Sequence, residues 1–324
     1  FGDIFRVVGI NIPYKKFILP IGISYYTLET ISYLTDIYRK RMKAETNYLK
    51  VLLFLVYFPQ IVEGPIANYS RLSKTLFNTE KFNYDNFVSS FVLIGWGFIK
   101  KLVIADRAGI FVSKVFENNY GGILLIVGIL LYTLQIYADF SGCIDIVSGV
   151  SELFGVKLDE NFKRPFFSKS IQEFWRRWHI TLGTWLKEYI FYPISLSKLN
   201  MKLNLKLRKM KSKYISRFII TAFPLFFVWF FNGMWHGASF KYVVYGLYYV
   251  LMMIGILLEP VFKKIISIFK INTEVWSYKF FQAVRTILIV CFGMFLFRVD
   301  SFKQMGLMIH SNASASLFSL GLKK

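Results

Sequence analysis

Histidine occurs three times in this 324-residue chain, so the setting of each is informative. His236 lies in Asn232-Gly233-Met234-Trp235-His236-Gly237-Ala238-Ser239, a polar island between two apolar stretches. On a helix, Asn232, His236 and Ser239 at i−4, i and i+3 share one face. Gly233 and Gly237 have the spacing that lets another helix or a ligand approach closely. An imidazole, with an unperturbed pKa near 6.5, can take up or release a proton near neutral pH. His179 ends the run Glu173-Phe174-Trp175-Arg176-Arg177-Trp178-His179. On a continuous helix Trp175 and Arg176 fall on its side, and aromatic walls with a guanidinium suit a charged, partly apolar ligand. An interfacial aromatic belt with anchoring arginines explains the Trp/Arg part as well, though not the histidine, so spacing leaves both readings open. His310, among Ser311, Asn312 and Ser314, reads as a loop residue.

Other chemistries find less support. Asp139 and Asp145 stand six residues apart at the end of an apolar stretch and do not share a helical face, although Gly142 between them can bend the chain. Helix-end solvation or pairing with Lys or Arg accounts for them better than an ion site. Ser239 as a nucleophile lacks a G-x-S-x-G elbow. The chain holds no Walker A, no GxGxxG after a strand and no HExxH. Cys143 and Cys291 lie in apolar surroundings without a CxxC, so they read as small buried residues, and no metal site is expected.

The elements that must position these residues are apolar. Of the chain, 55% is hydrophobic, 19% aromatic and 18% charged, and its mean hydropathy is +0.45. A soluble domain carries about a quarter charged residues. Several stretches reach the roughly 20 apolar residues a span needs. Disorder and a disulfide-stapled domain are excluded by 35 Phe and two Cys. The expected fold is an all-α polytopic integral membrane protein, one domain over 1–324. At membrane depth a charged group costs at least ~2.5 kcal/mol, which favours a functional setting for His236 over packing.

Spans are expected at Phe87–Ala105, Gly121–Tyr137, Tyr214–Phe231, Phe240–Leu258 and Phe280–Phe297. Phe17–Tyr38, with Pro20, Gly22, Glu29 and Asp36, reads as a broken or partly buried helix, and Leu49–Ile66 stops at Glu63-Gly64-Pro65. Ser170–Tyr192, between Pro165 and Pro193, reads as a re-entrant or interfacial helix. The net charge of +21 sits between the apolar stretches. Arg39, Lys40, Arg41 and Lys43 form one cluster; Lys198, Lys202, Lys206, Arg208, Lys209, Lys211, Lys213 and Arg217 form an acid-free second. Membrane lipid headgroups at cytoplasmic loops explain them; no nucleic-acid partner is expected. The chain begins at Phe1 and stops soon after an apolar stretch, so it is expected to be a piece of a longer protein with further terminal helices.

The runs Glu173–Leu182 and Gly233–Ser239 resemble the two signature stretches of the membrane-bound O-acyltransferases, and the nearer likeness is to the AlgI-like, alginate-O-acetylating branch. Agreement continues in order through Leu19–Thr27, Ile31–Arg39, Phe58–Pro65, Lys100–Asp106, Gln135–Gly142, Glu160–Pro165 and Phe295–Arg298. Departures are Cys143 for the branch's Tyr, Glu188 for Asp, and Pro193-Ile-Ser-Leu-Ser197 for a Pro-Leu-Gly-Gly turn; Arg176-Arg177 differs from the Asn-Arg of the DltB-like, D-alanine-transferring branch. The resemblance implies a multi-helix bundle with re-entrant helices around a transmembrane tunnel in the bacterial cytoplasmic membrane. It implies an acyl group, acetyl first, moved from a cytoplasmic thioester (acetyl-CoA or an acyl carrier, as co-substrate with no bound cofactor) towards a cell-surface glycan. A separate extracytoplasmic, esterase-like transferase completes the implied system. His236 is then expected as general base and His179 as a group positioning or polarising the acyl carbonyl. Arg176, Arg177, Trp175 and Trp178 are expected near the donor, with Asn232, Ser239 and Asp139 in support. A transporter using Asp139, Asp145 and His236 as a relay, or an envelope scaffold, are the readings from other classes.

Overall fold

The structure is a computed structural model and describes residues 20–78, 82–210, 212–237, 239–253 and 255–311. The start of the Phe17–Tyr38 stretch, Leu19, Lys211, Ala238, Asn312 and Ser314 lie outside the described residues. The described residues are all-α, with one isolated bridge and no sheet.

Helix α1 (Ile23–Tyr38) starts at Gly22, whose φ of 77° suits glycine. Its polar face is the buried one: Glu29, Ser32, Tyr33 and Asp36 turn inwards, while Ile31, Leu34 and Tyr38 are exposed. That inversion is what an apolar solvent selects. Leu49–Ile66 yields only the eight-residue α2 (Tyr48–Leu55), capped by Asn47, and then turns through Glu63. Short α3 (Tyr69–Leu76) is capped by Asn68.

Next comes a 34-residue rod, Tyr84–Glu117. It comprises α4 (Tyr84–Phe98), a π-helical segment (Ile99–Ala105) and α5 (Asp106–Glu117). It pairs with α6 (Gly122–Leu153), which continues for 32 residues through Gly142 instead of ending near Tyr137. Gly142 serves close approach: a Cβ there would lie 2.8 Å from the Gly97 carbonyl oxygen, and one on Gly97 would lie 2.6 Å from that of Gly142. The wider π turn presents consecutive lysines to two carboxylates on α6, Lys100 to Asp145 at 2.6 Å and Lys101 to Asp139 at 2.7 Å. Both aspartates are therefore lysine partners, as expected.

The expected Ser170–Tyr192 helix is interrupted. It comprises α7 (Ile171–Arg177), α8 (Ile180–Leu186), a π turn (Lys187–Phe191) and α9 (Tyr192–Ser195). The basic loop is partly helical, as α10 (Lys198–Leu207) capped by Ser197. Two long helices follow, α11 (Lys213–His236) and, after α12 (Phe240–Met253) and α13 (Gly255–Ile268), α14 (Trp276–Arg298). The expected span Phe240–Leu258 is thus shared between two fourteen-residue helices. His310 closes α15 (Phe302–His310) instead of sitting in a loop.

Four helices among the described residues are long and apolar enough to cross a membrane: the α4–α5 rod, α6, α11 and α14. At 1.5 Å per residue even the 23 residues of α14 reach about 34 Å, against a hydrocarbon core of about 30 Å. This is a multi-pass membrane protein. One core, including Phe116, Tyr132, Phe174, Trp178, Trp229, Tyr249 and Phe295, ties α5, α6, α7, α11, α12 and α14 together. Thus α7, too short to span, is wedged among the long helices.

Candidate active site

The break between α7 and α8 creates the site. Ser170 caps α7 by accepting from the Glu173 N–H, and Glu173 in turn accepts from the Lys169 N–H at 2.8 Å and from Arg177 at 2.6 Å. Trp178 then becomes extended and bridges to Phe162. His179 follows with φ 46° and ψ 55°, the left-handed region that costs a non-glycine residue roughly 1–2 kcal/mol. Asn161 holds it there. Its carbonyl oxygen accepts from the Ile180 N–H at 3.0 Å. Its side-chain Oδ1 lies 3.2 Å from His179 Nδ1, 3.1 Å from Thr181 N and 3.0 Å from Thr181 Oγ1. Thr181 Oγ1 also accepts from the Ile66 N–H at 3.0 Å, tying α8 to the turns after α2.

A cavity of about 680 Å³ opens beside this break. Tyr25 of α1, Glu63, Asp139 and Phe140 of α6, and Trp175 and Arg176 of α7 contribute to its wall. Trp178, His179, Lys187, Asn232, Trp235, His236, Tyr245 and Phe297 also line it. Both histidines therefore face one space. His179 is 6% exposed and packs edge-on to Phe140, ring centres 4.7 Å apart. His236 is bordered by Phe297 at 5.1 Å and Tyr245 at 6.2 Å. Trp235 stands beside both, 5.8 Å from the His179 ring and 4.9 Å from the His236 ring. His179 Nε2 and the indole Nε1 atoms of Trp175 and Trp235 are enclosed without a hydrogen-bond partner in the protein. His179 belongs to none of the four long helices; burial, helped by nearby His236, pushes its imidazole well below the usual range and keeps it neutral.

The geometry sorts the expected residues. His236, His179, Asn232, Trp175, Arg176, Trp178 and Asp139 come together around the cavity. Arg177 does not line it and pairs with Glu173 instead. Ser239 is exposed and also outside the lining, because α11 ends at His236 and Gly237 turns the chain with φ 153°. The shared face of Asn232, His236 and Ser239 is thereby cut after His236. Trp175 and Arg176 reach the cavity from α7, although the break denies them a common helix with His179. Of Asp139, Asp145 and His236, Asp145 lies outside the lining and is bound to Lys100. Residue spacing did not single out Asn161, Tyr25, Glu63, Tyr245 or Phe297. All but Tyr245 lie in stretches that carried the family resemblance: Leu19–Thr27, Phe58–Pro65, Glu160–Pro165 and Phe295–Arg298.

Comparison with known proteins bears on the same residues. The family model of MBOAT, the membrane-bound O-acyltransferase family, matches residues 23–207, which include Asn161 and His179. The chain belongs to the membrane-bound O-acyltransferase family. Among its membrane-bound O-acyltransferase relatives is the probable alginate O-acetylase AlgI of Pseudomonas syringae pv. tomato, 32% identical over 94% of this chain and 52% of that protein. The peptidoglycan O-acetyltransferase of Helicobacter pylori is 30% identical over 71% of this chain and 46% of its own. The teichoic acid D-alanyltransferase of Bacillus subtilis is 29% identical over 86% of this chain and 68% of its own. The chain spans about half the length of the AlgI relatives it matches.

Proposed function

We propose that this chain is the membrane-embedded core of an O-acyltransferase that moves an acyl group, acetyl first, from a thioester donor towards a hydroxyl of a cell-surface polysaccharide. The observation that carries this reading is that two histidines from separate signature stretches line one largely apolar, half-open cavity. From His236 the lining runs down α11 through Asn232 and Trp229 to Leu225, eleven residues or about 16 Å away. It runs towards the end of α11 that adjoins basic α10, and Arg176 and Lys187 add cations to the wall. A donor whose phosphates stay at the basic end and whose thioester reaches the histidines fits that shape. Membership of the family and likeness to the AlgI relatives favour acetyl as the group and a glycan as the acceptor.

In this reading His236 is the general base. It takes the proton of the attacking hydroxyl and returns it to the leaving thiolate. The aromatic wall keeps water from the thioester. Asn232, 5% exposed at the turn before His236, and the Trp235 indole N–H line the same cavity as neutral donors for the carbonyl oxygen. Arg176 and Lys187 attract the donor's phosphates, a role Arg177 gives up to Glu173. A separate extracytoplasmic transferase completing delivery to the glycan belongs to the proposal through the AlgI likeness. D-alanyl transfer to teichoic acid is the second reading, favoured by the 29% identity to the Bacillus enzyme.

Cells making the full-length parent, wild type or His236→Ala at equal membrane abundance, provide the test. Ester-linked acetyl and D-alanine on surface polymers are measured by mass spectrometry. Loss of acetyl in the variant is the expected result, and loss of D-alanine selects the second reading. Unchanged esters of both kinds, with partner proteins present, overturn the role of His236.

A further inference from the structure

We propose that Asn161 is a positioning residue: it fixes His179 in the tautomer that carries its proton on Nδ1, so that Nε2 meets the cavity as a hydrogen-bond acceptor. The argument begins at Thr181. Its backbone N–H can only donate, so the Asn161 amide atom 3.1 Å away is the oxygen, not the nitrogen. That same oxygen is 3.2 Å from His179 Nδ1, and an amide oxygen can only accept. Nδ1 therefore carries the hydrogen. The Thr181 hydroxyl agrees, donating to Asn161 Oδ1 while it accepts from the Ile66 N–H. A neutral imidazole has one N–H, which leaves Nε2 bare, and Nε2 is the enclosed atom with no protein partner. The Asn161 carbonyl meanwhile secures the left-handed turn through the Ile180 N–H. One residue thus sets both the backbone and the ring.

The consequence rests on the acyltransferase reading and alters one part of it. A neutral His179 held this way cannot donate to the acyl carbonyl oxygen. It receives an O–H or N–H of a substrate instead, fixing that group beside His236, while donation to the carbonyl oxygen falls to Asn232 and the Trp235 indole.

The first test needs no acyl substrate. Full-length parent protein labelled with 15N-histidine is placed in lipid nanodiscs at neutral pH, and the His179 signals are identified by their absence in His179→Gln. A protonated Nδ1 with an unprotonated Nε2 is expected, and loss of that pattern in Asn161→Leu. An Nε2-protonated ring or an imidazolium in the wild type, or an unchanged pattern in Asn161→Leu, overturns the proposal. Asn161→Asp keeps the acceptor should the Leu variant fail to fold. Its carboxylate favours the imidazolium, so the His179 pKa rises and its neutral form is lost at higher pH. The acid limb of surface-ester formation in cells is then expected to move to higher pH, with Asn161→Leu lowering formation about 10–100-fold, as for other partners that orient a histidine. An acid limb left in place in Asn161→Asp counts against the proposal. Wild-type tautomer data stand even if no ester is ever found, so failure here and failure of the acyltransferase reading are separable.

Discussion

A few hydrogen bonds around Asn161 and Thr181 decide where His179 points. Thr181 Oγ1 gives its proton to Asn161 and takes one from the Ile66 N–H, all three residues being buried. Thr181→Val nearly keeps the shape but strands the Ile66 N–H. A loss of about 1–3 kcal/mol is expected for an unpaired buried donor. Thermal unfolding in detergent measures it, and stability equal to wild type would remove Thr181 from this network. The aromatic and histidine residues here were legible in the sequence because chemistry and spacing lay within one short run. The link from Asn161 to His179 crosses eighteen residues and a chain reversal, so no periodicity announces it. Ser239 lies apart from the cavity for the opposite reason: its spacing fits one helical face, but the helix stops at His236.

The α4–α5 rod and α6 hold the site's back wall through contacts smaller than a side chain. With the carbonyls of Gly97 and Gly142 so close to the opposing glycines, Gly142→Val must push the helices apart. Overpacking of this kind costs about 1–3 kcal/mol, and a lowered melting temperature is expected, with Gly142→Ala milder. Two ion pairs lie on the same interface. Lys100 and Asp145 are 15% and 21% exposed, so removing one partner strands a charge that is largely shielded from water. Lys100→Met is expected to destabilise more than the double variant Lys100→Met with Asp145→Leu. A double-mutant cycle on unfolding midpoints checks this, and additive losses would show that the pair does not couple. The lysines and aspartates are plain in the sequence. The π segment that lets neighbouring lysines reach aspartates six residues apart is a packing outcome.

Among the described residues many large apolar side chains are exposed, and the first basic cluster lies close to the second. Arg39 meets the Glu188 carbonyl at 3.4 Å and Arg41 approaches its carboxylate at 4.0 Å. That brings the first basic cluster to the α8–α9 region that leads directly into basic α10. By the positive-inside rule this end is expected to face the cytoplasm. The turn between α5 and α6 at Asn118, where Gln304 of α15 also binds the Phe116 carbonyl, is then expected on the other side. In a background with Cys143 and Cys291 replaced by Ala, Lys202→Cys is expected to react with an impermeant maleimide only in inside-out vesicles. Asn118→Cys should react only in right-side-out ones. Labelling of both from one side would reject this orientation.

Composition and hydropathy alone determine that the chain is helical and embedded, because backbone groups in lipid must pair within their own segment and only long apolar helices allow it here. The two histidine runs, the lysine-paired aspartates and the family likeness were equally open to reading, since each depends on residue type along short stretches. Tertiary structure alone decides that α7 and α8 break at His179, that α6 runs unbroken, and that Arg176 but not Arg177 faces the cavity. The reason is physical: those outcomes hang on single hydrogen bonds and close backbone contacts between segments far apart in the chain, which local pattern does not encode.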